Sequence, residues 1–558
     1  MFKCKQLLRR ICVVSYVFLL CGGLVNASNL VSKTNTLIGT QGNGWASGYL
    51  YPGATYPFGM VQFTPTYFTK QLGFVINQLS GAGCDHMGNF PTLPIAGALR
   101  VSPDSILNMQ TPVGKEIGTA GYYAATVDHS IRAELTVTER TGMARYTFSS
   151  KEKQGTVIIG GGVAATSIQV AAIKITGPHS CEGYAEGGAF CGIPTPYKVY
   201  FVAEFDADAE SFGTWKEERL HANHTFAEGS HSGVYFTFPL KEGNQAVQYK
   251  IGVSYVSVEN ARENLRVENP AWDFSAVRQA TQDKWNEYLG KIEVEGDNED
   301  RQMQFYTHLY RSLIHPNVCS DVNGEYMGAD SQVHKTARKF YTSFSNWDTY
   351  RTQTALIAML APEETSDIVM SHYLFAEQSG GGFPRWVLAN IETGVMQGDP
   401  TPILVANAYA FGARNYDPRT LLRTMRYGAE VPGANSQGVL TRPGLEQYLE
   451  KGYYDASILL EYTSSDFAIG RFALQACNDE PVCNWYTQRA MNWKNLFNKE
   501  TGWLQSRNED GSWKRYDADW RESTYKNYFW MVPYDLQGLI DSIGGKEAAE
   551  KRLDEMFR

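Results

Sequence analysis

The hydrophobic period of this chain changes once, from two to about 3.6. Across residues 121–255, Ile131-Arg132-Ala133-Glu134-Leu135-Thr136-Val137 and Ala144-Arg145-Tyr146-Thr147-Phe148 alternate apolar and polar positions, and 197–205 and 247–255 look similar. Strands at such short intervals, with turn residues but no helical spacers between them, predict an antiparallel sandwich. Residues 272–289 then carry one polar face at helical spacing and predict a linker helix. Beyond Glu295 about nine or ten helical segments follow, joined by long irregular connections. Helix 300–314 is expected to stop at Pro316, helix 363–377 at Gly380, and 546–557 is the last. The fold class is α+β and multidomain: a β-sandwich over 28–268, a helical linker over 269–295, and a helical toroid over 296–558. A toroid of this kind gathers its loops at one face, where binding and catalytic residues often sit.

The N-terminus changes the picture of location. Lys3, Lys5, Arg9 and Arg10 precede an apolar run over 11–24, and Val25-Asn26-Ala27 fits small-residue cleavage. Residues 1–27 therefore read as an export signal cut after Ala27, in preference to a lipid anchor on Cys21, and the protein is expected in the periplasm, at the cell surface or outside the cell. The run is short for a membrane span, and no later segment is apolar enough for one. Export permits disulfides, and the close pairs Cys181/Cys191 and Cys477/Cys483 are the expected bridges. Cysteine spacing matches no zinc pattern.

Charge and motifs remove several classes of function. The net charge of -9 argues against a nucleic-acid partner. The six glycines and three prolines of 35–65 exclude a helix there, and no Gly-Lys-Ser/Thr follows to make a phosphate loop. Residues 79–84 form a second glycine-bearing loop, with Asp85-His86 a turn and not a metal site. Neither G-x-S-x-G nor HExxH occurs. His308, His315 and His372 stand singly and read as packed or surface side chains.

What remains is sugar chemistry. Aromatics make up 13% of the chain, with 33 Tyr and 12 Trp, and sugar rings stack on aromatic faces. Three loop stretches are rich in the needed types. Ser345-Asn346-Trp347-Asp348-Thr349-Tyr350-Arg351 sets an Asp and an Arg beside a Trp, able to grip paired hydroxyls while the indole stacks; alternatively, Asp348 caps its own helix. Gly380-Gly381-Gly382-Phe383-Pro384-Arg385-Trp386, with Gly398-Asp399-Pro400, lets backbone approach a ligand or forms a turn. Residues 520–535, W-R-E-S-T-Y-K-N-Y-F-W-M-V-P-Y-D, pack six aromatics around Glu522. An apolar wall there would hold a carboxyl protonated, as a glycosidic acid needs. The other reading of 520–535 is a buried aromatic helix with Glu522 at its solvated start.

Together these stretches resemble the exo-acting α-mannosidases of glycoside hydrolase family 92. The likeness rests on I-G-T-x-G…P-G-A-T-x-P-F-G-M-V-Q at 38–62, L-S-G-A-G-C at 79–84 and F-Y-T-H-L-Y at 305–310. It continues in W-D-T-Y-R at 347–351, G-D-P at 398–400 and the Glu522 stretch. The resemblance implies a β-sandwich joined to an (α/α)6 barrel with the active site between them. It also implies Ca2+-dependent, inverting hydrolysis of terminal α-mannosides on mannose-containing glycans. Glu522 falls on the family's acid position, and Trp347, Asp348, Arg351 and Asp399 fall on motifs expected to line the mannose site.

Two departures stand out. The commoner pattern around the acid is E-G-N-A-x-Q-Y, whereas this chain has Glu522-Ser523-Thr524-Tyr525-Lys526-Asn527-Tyr528. Family members also continue past the length of this chain, into a barrel segment whose aspartate-rich motif supplies the general base. Asp535 matches a different family position and is not assigned that role. The barrel is therefore expected to be incomplete. Beside an active mannosidase stands a second expectation, an inactive, truncated mannoside-binding remnant whose open barrel exposes apolar helix faces and lowers solubility.

Overall fold

The computed structural model describes residues 29–40, 49–65, 73–104, 113–242 and 245–557. The export signal, Cys21 and residues 41–48 of the glycine-rich stretch lie outside the described residues.

Two antiparallel sheets make up the N-terminal half. One has nine strands, with Ile193–Phe205, Ala246–Ser254, Thr141–Thr147 and Ile131–Val137 at its centre. The other has eight, with Thr92–Ala96, Gln154–Ile159 and Ser232–Pro239 side by side. The alternation read from the sequence is the cause: along Ile131–Val137, Ile131, Ala133, Leu135 and Val137 are fully buried while Arg132 and Glu134 are not. They share one core with Phe63, Val157, Phe236 and Tyr249. Each fully buried Val, Leu, Ile or Phe contributes roughly 1.5–3 kcal/mol. The eight-stranded sheet begins with Ala54–Thr55 and Gln62–Pro65, inside the glycine- and proline-rich stretch, where two- and four-residue strands leave too few positions for an alternation to show.

The expected disulfides are corrected. Cys84 bonds Cys191, and Cys181, Cys319, Cys477 and Cys483 are free and buried. Cys181 lies in the strand Ser180–Phe190 and faces the core, whereas Cys191 follows the far end of that strand. At ~3.3 Å per residue the two are about 30 Å apart, so closeness in sequence works against the bond. Cys477 ends one helix, and Cys483 in the next turns along its own helix towards Thr487. Cutting the Cys84–Cys191 link with Cys84→Ser is expected to cost about 2–4 kcal/mol by freeing the unfolded chain. Denaturant unfolding checks this, with Cys477→Ser as the variant that removes no bridge.

Helix Val258–Glu268, capped by Ser257, lays Ala261 and Leu265 on Val202 of the larger sheet. The linker helix Phe274–Leu289 follows, capped by Asp273. Its Trp285 donates Nε1–H to the Thr55 carbonyl at 2.7 Å and packs 4.6 Å from Tyr310 of helix Glu299–Ser312, pinning the sandwich to the helical half. Further along the seam, Phe190 stacks on Trp386 at 4.2 Å. Asp321 there accepts hydrogen bonds from Ser254, Asn260 and Asn264.

From Glu299–Ser312 onward the described residues form twelve α-helices. The surplus over nine or ten comes from Asn346–Thr349 and Tyr525–Tyr528, single turns too short to show a period. Pro362–Ser379 closes at Gly380, whose φ of 115° suits glycine, as expected. Helix Glu299–Ser312 ends short of Pro316, with Leu313 as its C-cap. The longest helix, Ala456–Cys477, runs through the middle of the half and is buried along most of its length.

Two buried histidines tie the 79–84 loop. The Leu79 amide donates to Nε2 of His86 at 2.8 Å, and the Ser80 amide to Nε2 of His315 at 2.9 Å. Burial pushes each imidazole down from 6.5 to about 4, and Arg311 adds to this for His315. A lowered folded-state pKa means that the unfolded chain takes up the proton first. Stability is therefore full above pH ~6.5 and falls as the pH drops towards ~4, by on the order of 3 kcal/mol for each histidine. Tm measured between those pH values is expected to fall steeply, and less steeply in His86→Gln.

Candidate active site

The candidate site is a cleft of about 790 Å³ in the helical half. Its walls come from three places: the segment 347–351, helices Thr401–Ala410 and Ala456–Cys477, and the stretch 521–534.

Glu522 opens the third wall. It sits in an irregular segment before the single turn Tyr525–Tyr528 and adopts φ 52°, a left-handed conformation that a glutamate occupies at a cost of roughly 1–2 kcal/mol. Its backbone is held there by neighbours. Ser457 Oγ donates to the Asp519 carbonyl at 2.7 Å, and Tyr528 OH donates to the Arg521 carbonyl at 3.1 Å. The Trp520 and Tyr528 rings pack 5.3 Å apart. Such strain, kept by surrounding contacts, is typical of residues placed for function. The Glu522 side chain is exposed at the junction of the cleft with a second recess of about 410 Å³. The apolar enclosure expected around this carboxyl is therefore partial: Tyr528, Trp530 and Tyr534 line the cleft with it, Phe529 packs on the helix beneath, and the carboxylate itself stays open to solvent. Nor is the stretch one buried helix, since only 525–528 is α-helical before the turn Pro533–Asp535.

Of the other expected site residues, Trp347 and Arg351 line the same cleft as Glu522. Asp348 and Asp399 do not. Asp348 is exposed in the first turn of Asn346–Thr349 and accepts the Ser345 hydroxyl at 2.6 Å, so it does not cap its own helix either. Asp399 is buried behind the glycine loop, where Arg442 Nε reaches it at 2.8 Å. Burial raises its pKa against the pull of Arg442.

Two carboxylates on the central helix escaped sequence reasoning. Glu461, wholly buried, accepts Trp347 Nε1–H at 3.0 Å and Tyr350 OH at 3.0 Å, with Arg351 Nη2 at 3.4 Å. Burial pushes its carboxyl up to about 7, and Arg351, Tyr350 and Trp347 offset this only in part. Asp466 is likewise buried, but it takes Arg442 at 2.7 Å and Arg489 at 2.5 Å, which outweigh burial and lower its pKa. The usable signal was their place in the apolar run A-S-I-L-L-E-Y-T-S-S-D-F-A-I-G at 456–470, since a charge at a buried position needs a partner.

Of the three histidines singled out in the sequence, His315 and His372 are packed and His308 is exposed. His372 stacks on Phe344 at 3.7 Å and bonds Asn346, beside Trp347. Among the described residues no three His, Cys, Asp or Glu side chains converge as a metal site.

Comparison with known proteins decides the family. Residues 34–254 match the model of the glycosyl hydrolase family 92 N-terminal domain, and 260–558 that of the family 92 catalytic domain. The chain belongs to glycosyl hydrolase family 92. It superposes on the family 92 α-mannosidase BT3965 of Bacteroides thetaiotaomicron with a TM-score of 0.86 at 25% identity, covering 95% of this chain and 75% of that one. The family 92 inverting mannosidase BT2199 of the same species gives 0.85 at 26%, over 94% of this chain and 74% of that one. An uncharacterized secreted glycosidase of Arthroderma benhamiae is 25% identical, across 94% of this chain and 74% of the relative. The fold is thus the family's sandwich followed by its helical domain, and the protein is a glycosidase with α-mannosidases as structural neighbours. Among the described residues no helix is long and apolar enough to cross a membrane.

Proposed function

We propose that this glycosidase releases terminal α-linked mannose from oligosaccharides or glycans by an inverting mechanism, with Glu522 as general acid. The observation that carries the reading is the cleft itself. Glu522 makes no hydrogen bond or ion pair with other described residues and is free to meet a ligand, beside the Trp347 indole and the Arg351 guanidinium. BT3965 has been solved with mannoimidazole bound, which supports a mannose-shaped ligand here. In the reaction the Glu522 carboxyl gives a proton to the leaving glycosidic oxygen while water attacks the opposite face of the sugar and loses a proton to solvent, from which Glu522 is recharged. Trp347 offers an apolar ring face, and Arg351 donates to hydroxyls. Asp348 and Asp399 drop out of the proposed contacts, because neither lines the cleft. Export to the periplasm or beyond fits a glycan substrate.

One observation favours a second reading, mannoside binding without turnover: Glu522 is the single carboxylate among the described residues lining the cleft. Asp535 is committed elsewhere, capping helix Leu536–Ser542 and accepting Trp493 Nε1–H at 3.1 Å. Calcium enters the proposal on family resemblance alone. Asp455 and Asp519 in the recess beside Glu522 both bind Lys514 at 2.8 Å, so they do not form a cation cage, and no step is routed through a metal.

The test is mannose release from α-mannosyl disaccharides by the full chain, with and without a chelator, beside calorimetric binding of mannoimidazole. Release supports hydrolysis, and its loss on chelation supports calcium. Binding without release establishes the second reading, and neither binding nor release from folded protein overturns both.

A further inference from the structure

We propose that Glu461 is a positioning residue for the cleft, fixing Trp347, Tyr350 and Arg351 together from behind the wall they form. The inference rests on the cleft being a mannoside site, and adds to it a residue that touches no sugar.

The geometry is specific. All three partners of the Glu461 carboxylate come from one five-residue segment, and all three line the cleft. The Arg351 guanidinium lies 4.6 Å from the Trp347 ring centre and 4.8 Å from that of Tyr350, so the three side chains form one stacked unit. Among the described residues nothing on its own helix competes for the carboxylate. Gly398 closes over the stem of Glu461, where a Cβ would stand 2.6 Å from the Glu461 Cβ, so the carboxylate has little room to turn away. Asp466 in the same run is taken by arginines of the packed interior, whereas every side-chain partner of Glu461 belongs to the cleft wall in front of it.

The same contact responds to pH. The titratable groups facing Glu461 are Arg351 and Tyr350 of the 346–351 segment and Tyr528 of the Glu522 wall. Asp399, on the loop that presses Gly398 inward, is turned to Arg442, and Asp466 on the same helix is taken by Arg442 and Arg489. With its carboxyl pushed up to about 7, Glu461 is part ionised near neutrality. Protonation removes the charge that holds Arg351, the longest of the three contacts at 3.4 Å, and lets the guanidinium leave the stack. Ligand affinity therefore falls as the pH drops through about 7.

The test uses the full chain labelled with 5-fluorotryptophan. The fluorine signal of Trp347, identified by its loss in Trp347→Phe, is followed through neutral pH. It is expected to shift with a midpoint near 7 in the unmutated protein, and to be displaced and flat in Glu461→Gln. In parallel, mannoimidazole is expected to bind about tenfold or more weakly to Glu461→Gln, with KM for mannosides rising more than kcat falls. A Trp347 signal that does not titrate in the unmutated protein overturns the proposal without any variant having to fold. So does a folded Glu461→Gln with unchanged signal and affinity. A Trp347 signal that titrates in a chain binding no mannoimidazole upholds the positioning role and overturns the mannoside reading.

Discussion

Glu522→Gln is expected to lower mannose release by about 10²–10⁴-fold while leaving mannoimidazole binding within a fewfold of the unmutated protein. Glutamine keeps the shape of the side chain and loses the transferable proton, so the loss should fall on kcat. It should also depend on the leaving group. An activated aryl mannoside, whose leaving oxygen needs no proton, should lose much less than a disaccharide. The left-handed backbone at residue 522 adds a control: Glu522→Gly relieves the strain and should fold at least as well, yet remain inactive. Equal losses on activated and unactivated substrates would remove Glu522 from the acid role and leave it a binding residue.

Glu522 was legible in the sequence because aromatics and a carboxylate share one short stretch, and because that stretch matches a family motif. Its surroundings were not legible. Six aromatics in sequence read as a wall around the acid, but in space only Tyr528, Trp530 and Tyr534 line its cleft, while Trp520 and Phe529 join the cluster over the end of the central helix and the carboxylate stays in the open. Trp347 and Arg351 were found from residue type, and the cleft brings them to Glu522. Asp348 and Asp399 have the same chemistry but face elsewhere, since which way a loop residue points is set by contacts distant in sequence. The sandwich was read from its period, because a two-residue alternation over seven residues has few other causes. The disulfide was misread for the converse reason. Proximity along the chain says little once the intervening residues are an extended strand, and Cys84 meets Cys191 only because the 79–84 loop folds onto the tip of a hairpin 107 residues away. The central helix hid the most. Glu461 and Asp466 lie in its apolar run and were singled out by nothing in the sequence reading, although both face a packed interior.

Asp466→Ala should be the most destabilising single change outside the sandwich core. Asp399, Arg442, Asp466 and Arg489 form a buried set of two carboxylates and two guanidiniums, with Tyr448 OH adding a 2.6 Å hydrogen bond to Asp466. Asp466 alone touches both arginines. Removing it leaves two buried cations facing one carboxylate, a loss of about 3–5 kcal/mol, because the charges left behind stay out of water. Arg442 already has one buried nitrogen, Nη2, without a partner among the described residues, so the set has no spare acceptor to offer. Chemical denaturation reads the change, and Asp348→Ala, at an exposed position, should stay within about 0.5 kcal/mol of the unmutated protein. The effect should also reach the cleft. Arg442 holds Asp399, Asp399 belongs to the loop that carries Gly398, and Gly398 packs against Glu461. At temperatures where Asp466→Ala remains folded, its mannoimidazole affinity should therefore fall, and the Trp347 environment should shift in the same direction as in Glu461→Gln. An Asp466→Ala protein that loses stability but keeps both would confine the network to holding the helices together.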